Sequence, residues 1–451
     1  MHVANTLRQL IHAIKVRMRD AEPSRLLVFG YFYYVLFGTA LLALPFCRVN
    51  SAGSPLDWLF TATSAVSTTG LATMSTGQDY TLAGQIVILL LIQLGGLGYM
   101  TMGSFVLLSV SGRMAPWRET AQRMVLNLPE NVDMRQTVRL IITYTLTVEA
   151  AGALALYFLF CGAGVQDAGW SALFHSVSAF CTAGFGLYDD SMSAFRDNVP
   201  VNAVICALSI LGAMGFLIVS DLWKSIVGRT LKITLTTRII VVSTLAILVA
   251  SCLLLRVEEP LLKSGGVGEG WLAAFFQVMT ASTTVGFNTL PIDQLSNAST
   301  LLLMVLMLVG GSPAGTGGGI KTTTVTALWA MMVSVIRHSP EPCFAGRAIP
   351  EARRRIAVAT TLFYILMLCG GVYLMCIFQK ATLLDISFEC ASALGTVGLS
   401  RGLTGSLNEA GKIIIIALMF AGRIGPLALA GTLFVRKMPH PEAPKAEDVV
   451  I

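Results

Sequence analysis

S-A-V-S-T-T-G-L (residues 64–71), S-A-F-C-T-A-G-F (178–185), T-A-S-T-T-V-G-F (280–287) and S-A-L-G-T-V-G-L (392–399) read as four copies of one segment. They align without gaps on Gly70, Gly184, Gly286 and Gly398. Ten residues before each glycine stands Phe60, Phe174, Phe276 or Phe388, and six before stands Ser64, Ser178, Thr280 or Ser392. Five before stands Ala65, Ala179, Ala281 or Ala393, and two before stands Thr68, Thr182, Thr284 or Thr396. Close helix packing in a membrane asks for small residues, but not for one threonine at one offset in every copy. A repeat of this kind settles architecture before any local feature does.

Each copy lies between two apolar runs long enough to cross a hydrocarbon core of about 30 Å. The runs are residues 26–47 and 82–111, 137–163 and 200–223, 237–257 and 298–336, and 356–380 and 409–435. Two crossings per unit make all four units run the same way, and parallel units are related by an axis along the membrane normal. The expected fold is therefore an all-α integral membrane protein. Four parallel M1-P-M2 repeats, with eight transmembrane helices and four re-entrant pore helices, stand in pseudo-fourfold arrangement around a central pore. The expected boundaries are an N-terminal segment over 1–25, repeats over 26–136, 137–236, 237–355 and 356–437, and a tail over 438–451.

Composition agrees with lipid as the main solvent: 55% of the 451 residues are hydrophobic and 12% charged, where soluble domains carry about a quarter charged. Of the 31 Lys and Arg residues, 22 fall on the side of the termini, including Arg113, Arg118, Lys224, Arg229 and Arg353. The positive-inside rule makes that side cytoplasmic. The net charge of +6 is thus topogenic, and no nucleic-acid partner is expected. Residues 1–25 lack the apolar core of a secretory signal. Leu7, Leu10, Ile11 and Ile14 beside Arg8, Lys15 and Arg19 predict an amphipathic helix on membrane lipid. Nine scattered cysteines without a C-x-x-C pair indicate neither a disulfide framework nor a zinc site.

Irregular backbone at membrane depth survives only where protein buries it or where it lines an aqueous path. Four Thr-x-Gly stretches meeting on one axis can present stacked carbonyl rings that replace the hydration shell of a cation. Glycine is needed because alternate carbonyls point inward only if some residues take positive φ. The short helices before them also aim their partially negative ends at the axis. The candidate cation-binding residues are Thr68, Thr69, Gly70, Thr182, Ala183, Gly184, Thr284, Val285, Gly286, Thr396, Val397 and Gly398.

T-T-G-L, T-A-G-F, T-V-G-F and T-V-G-L resemble the selectivity filter of the Trk/Ktr/HKT superfamily of potassium transporters, and the resemblance spans about residues 25–437. No additional hydrophobic hairpin is read before the first apolar run, which points to the Ktr branch. The resemblance implies potassium as the substrate ion, with sodium as a second or stimulating cation, and no bound cofactor. It also implies a homodimer with one pore per subunit, a KtrA-like cytoplasmic nucleotide-binding ring as partner, and residence in a bacterial inner membrane. Some plant relatives with serine at the first filter glycine favour sodium, so the resemblance with four glycines implies a preference for potassium.

The sixth apolar run is interrupted by G-G-S-P-A-G-T-G-G-G over residues 310–319, where glycine and proline forbid a continuous helix. Gly310, Gly311, Gly315, Gly317, Gly318 and Gly319 are candidate gate residues, and the resemblance implies a loop here that occludes the pore on the cytoplasmic side. Arg423 falls midway along the eighth run, where an uncompensated charge costs at least about 2.5 kcal/mol. It is read either as a gate residue, a barrier below the filter or a partner of the loop, or as a structural tie to backbone carbonyls or Glu149. Lys321 is expected to snorkel to the inner interface.

Other functions fit less well. G-T-G-G-G-I-K-T imitates a phosphate-binding loop, but Ile320 stands where glycine is needed and no strand is predicted before it. A secondary transporter would be expected to show inverted repeats. An enzyme would need a nucleophile with a base, and His175 and Glu389 are expected to be outer-vestibule or packing residues instead.

Overall fold

The computed structural model describes residues 23–49, 52–98, 101, 134–215, 218, 221, 234–263, 266–313, 315–425, 429 and 432. The amphipathic 1–25 reading, the basic segments around Arg113–123 and Lys224–Lys232, and the tail fall almost wholly outside the described residues.

A long helix, a short helix and a second helix follow one another four times. The first set is α1 (Pro23–Leu42), α2 (Pro55–Ser67) and α3 (Leu82–Leu97). The second is α4 (Met134–Gly162), α5 (Ala168–Phe180) and α6 (Val199–Met214). The third is α7 (Leu235–Glu258), α8 (Val267–Thr283) and α9 (Asn297–Leu308), continued through β1 (Val309–Gly310) and β2 (Ile320–Lys321) into α10 (Thr322–Ile336). After a small hairpin, β3 (Cys343–Phe344) with β4 (Arg347–Ala348), the fourth is α11 (Glu351–Phe378), α12 (Leu383–Gly395) and α13 (Glu409–Ile424). The sequence signals the starts of these elements through side-chain caps. Ser54 caps α2 in a reciprocal box with Asp57, and Thr81, Asn198, Ser296, Thr382 and Asn408 cap α3, α6, α9, α12 and α13.

Among the described residues, α4, α7 and α11 are long and apolar enough to cross a membrane, whereas α1, α3, α6, α9 and α10 are shorter apolar helices. The second, fourth and eighth apolar runs do not continue as single helices over their expected lengths. α3, α6 and α13 stop at Gly98 (φ 79°), Gly215 (φ 76°) and Gly425 (φ 90°), a backbone region that ends helices and that glycine enters without penalty.

The short helices are buried between neighbours in a closed order. Each packs against its own flanking helices and against the second helix of the preceding unit: α5 on α3, α8 on α6, α12 on α9, and α2 on α13. Glycines make these approaches possible. A Cβ on Gly95, Gly212 or Gly422 would strike the carbonyl of Val66, Phe180 or Leu394, so these three are packing glycines. Gly98 and Gly215, three residues beyond the first two, serve as helix ends instead.

Candidate functional site

Each short helix ends in the same backbone device. Thr68, Thr182, Thr284 and Thr396 take left-handed φ values of 52°, 51°, 60° and 51°. The N–H of the next residue bonds back to the carbonyl six before the glycine: Thr69 to Ser64 (2.9 Å), Ala183 to Ser178 (2.8 Å), Val285 to Thr280 (3.1 Å) and Val397 to Ser392 (2.9 Å). This is a Schellman-type stop in which threonine occupies the place usual for glycine. A β-branched residue there costs about 1–2 kcal/mol. The arrangement is repeated four times, so a threonine side chain is being held at one level in every unit.

Two residues on, Gly70, Gly184, Gly286 and Gly398 have φ of 93°, 65°, 86° and 97°. A Cβ on Gly70 would meet the carbonyl of Ala183, one on Gly184 that of Val285, one on Gly286 that of Val397, and one on Gly398 that of Thr69. The four glycines therefore form a closed ring in which each abuts the next unit. In the first and fourth units the ring is tied to the helix behind it, since Gly70 N–H donates to Ser64 Oγ (3.1 Å) and Gly398 N–H to Ser392 Oγ (3.0 Å). The serines at that offset were visible in the alignment, but their role as acceptors was not.

On the glycine side the ring opens into a cavity of about 550 Å³ lined by Gly70, Gly184, Gly286, Gly398, Asp189 and Asp293 among others. Polar ties cross every boundary between units at this face. Asp189 accepts from Ser75 Oγ (2.5 Å) and from the Gln78 amide. Met192 N–H donates to Asn288 O (3.0 Å). Arg401 reaches Ile292 O (3.1 Å) and Thr300 Oγ1 (3.0 Å) while pairing with Asp385 (2.8 Å). Lys412 pairs with Asp57 at 2.6 Å. Burial would push the Asp57 carboxyl up, but hydrogen bonds from Lys412, Ser54 and Thr73 outweigh it and hold its pKa down to about 2. Lys412→Met should cost about 2 kcal/mol by leaving that carboxylate without its cation, read as a lower thermal midpoint in detergent, while Lys412→Arg should recover most of the loss.

On the threonine side lies the interrupted helix. Residues 311–313 and 315–319 lie between β1 and β2, which pair in parallel. Their amides dock on the end of α6: Ser312 N–H donates to Ala213 O (3.0 Å) and Thr316 N–H to Gly212 O (3.1 Å). Gly318 N–H donates to Thr284 Oγ1 (3.0 Å). Arg423 donates to Thr316 O (2.5 Å) and to Gly95 O, so its partners are backbone carbonyls of the loop and of α3. Glu149 is instead joined to Gln93 (3.1 Å) and Cys181 (3.5 Å).

Lys321 departs from the sequence expectation. Its ammonium turns back to Gly317 O (2.5 Å) and Gly318 O (3.3 Å), because the loop presents carbonyls within one turn of its own backbone. The glycines of the loop also have a packing reason. A Cβ on Gly315 would strike Ala213 O and one on Gly318 would strike Thr396 Oγ1. His175 and Glu389 are fully buried rather than placed in the cavity. The His175 ring accepts from Leu187 N–H (3.4 Å), and Glu389 accepts from Ser400 Oγ (2.8 Å) and from Thr404, so both brace the segment that follows the ring in their own unit.

The pattern of the TrkH family, described as a cation transport protein, matches residues 39–445. The chain is 35% identical over 447 residues to Ktr system potassium uptake protein B of Vibrio alginolyticus, covering 96% of each. It is 34% identical over 441 residues to the potassium/sodium uptake protein NtpJ of Enterococcus hirae, covering 94% of this chain and 95% of that one. The crystal structure of the potassium transporter TrkH from Vibrio parahaemolyticus superposes with a TM-score of 0.68 at 23% identity, covering 90% of this chain and 84% of the other, which establishes a shared fold.

Proposed function

The chain belongs to the TrkH family of cation transport proteins, and from that premise we propose that it passes potassium across a membrane through the axis of its glycine ring. The observation that carries this reading is the closed ring itself, with four positive-φ glycines each abutting the next unit, a water-accessible cavity on one side and four threonines on the other. Carbonyls of residues 68–70, 182–184, 284–286 and 396–398 replace the ion's hydration shell there. The four parallel repeats surround this pore, and residues 310–319 with Arg423 act as its gate.

The reading extends to a homodimer in a bacterial inner membrane with both termini in the cytoplasm, controlled by a cytoplasmic nucleotide-binding ring. The name of the Vibrio alginolyticus relative, which places it within a Ktr system, supports a partner of that kind. Sodium as a stimulating or second cation is supported by the name of the Enterococcus hirae relative, a potassium/sodium uptake protein. The test is uptake of potassium and of sodium into cells lacking their own potassium importers, with and without a co-expressed nucleotide-binding subunit. Potassium uptake should depend on this chain and rise with the subunit present. Uptake of sodium alone would overturn the selectivity, and uptake indifferent to the subunit would overturn the regulation.

A further inference from the structure

The innermost level of the ring is made of four threonine hydroxyls, and the loop is already on them. Thr182 Oγ1 donates to Thr316 Oγ1 (3.2 Å), which itself donates to Phe180 O (3.1 Å). Thr284 Oγ1 accepts from Gly318 N–H (3.0 Å). At the third unit boundary Gly318 lies so close to Thr396 Oγ1 that no side chain fits between them. The Thr68 and Thr396 hydroxyls are fully buried and have no hydrogen-bond partner among the described residues. Two buried hydroxyls are left unpaired at a cost in stability, and a cation drawing on their oxygen lone pairs would offset part of it.

Resting on the filter reading above, we propose that residues 316–318 and a potassium ion at the threonine level compete for the same hydroxyls. The loop closes the path by occupying ligands of the innermost ion site, and a bound ion disfavours that closed position. Thr284 is the clearest case. With Gly318 N–H directed at its oxygen, the amide proton lies where an ion would, and a positive ion and a positive amide end cannot share one side of the hydroxyl. Thr182 donates to Cys181 O (2.8 Å) and Thr316 Oγ1 (3.2 Å) and so keeps its oxygen lone pairs, which leaves Thr284 to carry the competition. The positive groups that hold the loop, Lys321 on Gly317 O and Gly318 O and Arg423 on Thr316 O, lie on its carbonyls and so add to the repulsion of an ion arriving above. Coupling between two ligands of one state is reciprocal: what potassium does to the loop, the loop must do to potassium.

The test is hydrogen exchange of the amides of residues 315–319 in the full chain in detergent, in potassium chloride against choline chloride, beside thermal stabilisation by each salt. Loss of one neutral hydrogen bond of about 1 kcal/mol corresponds to exchange roughly fivefold faster in potassium. Removing residues 315–318 should lower the potassium concentration for half-maximal stabilisation by roughly the same factor. Thr284→Val, which removes both the ion ligand and the loop's acceptor, should abolish the effect of potassium on exchange.

Faster exchange in potassium together with tighter binding in the shortened chain supports the competition. Potassium-specific stabilisation that is lost in Gly286→Ser, with exchange of the loop unchanged or slowed, overturns the competition and leaves the filter reading standing. Absence of any potassium-specific stabilisation overturns both.

Discussion

Serine at position 286 or at position 70 should reduce the preference for potassium over sodium by roughly tenfold or more, measured as the ratio of initial uptake rates at equal surface expression. At φ values of 86° and 93° a side chain costs about 1–2 kcal/mol, and about 1.4 kcal/mol is a factor of ten. The direction of the damage is specific. The new Cβ of Gly286→Ser points at the Val397 carbonyl, and that of Gly70→Ser at the Ala183 carbonyl. Each displaces an oxygen of the adjacent unit, which on the proposed filter reading is the level at which oxygen spacing selects the ion. Gly405, which has open space around its Cβ position and lies on the same cavity wall, should accept serine with little change in the ratio. Unchanged ratios in both ring variants would remove the assignment of these glycines to a filter.

Deleting residues 315–318 should raise the initial potassium uptake rate roughly tenfold where closure is limiting and weaken its dependence on any regulatory subunit. The estimate follows from the contacts removed. Thr316 and Gly318 supply the bonds to Gly212 O, Thr182 Oγ1 and Thr284 Oγ1, and each neutral bond contributes about 1 kcal/mol net. Arg423→Ala should act in the same direction by less, since it frees Thr316 O while leaving the other contacts. It also releases Gly95 O on α3, so a small loss of stability should accompany the gain in rate. Lys321→Ala should likewise raise the rate, because its ammonium holds Gly317 O and Gly318 O. Parental rate and regulation after the deletion would reduce the loop to a packing kink.

Both experiments concern residues that differ in how they could be found. The ring glycines stand in one column of a four-copy alignment, together with the serines and threonines six before them and the threonines two before them. Their meeting on one axis follows from parallel repeats, because each unit repeats its neighbour's geometry. The break at residues 310–319 was equally legible, since glycine and proline at that density exclude a continuous helix whatever surrounds them. Caps such as Ser54 and Asn408 are local signals of the same kind.

Other features depend on contacts between units and have no local signature. That threonine, not glycine, takes the left-handed stop at the end of each short helix was decided by the bonds from Thr69, Ala183, Val285 and Val397 back to the helix. The sequence shows only that a threonine recurs. Gly98 and Gly215 stand three residues beyond Gly95 and Gly212, and spacing alone cannot distinguish a glycine that admits a neighbour from one that reverses φ. Lys321 differs from its expectation for a related reason: a long cationic side chain within an apolar run is expected to snorkel to an interface, whereas the folded loop offers nearer carbonyls. Arg423 had several candidate partners along the chain, and only the packing of α13 beside α3 and the loop selects Gly95 O and Thr316 O. Repetition and local propensity are properties of neighbouring residues, so the sequence alone determined the four units and the broken helix. Thr182 meets Thr316, and Arg423 meets Gly95 and Thr316, across more than a hundred positions of chain, and only the tertiary structure decided that they touch.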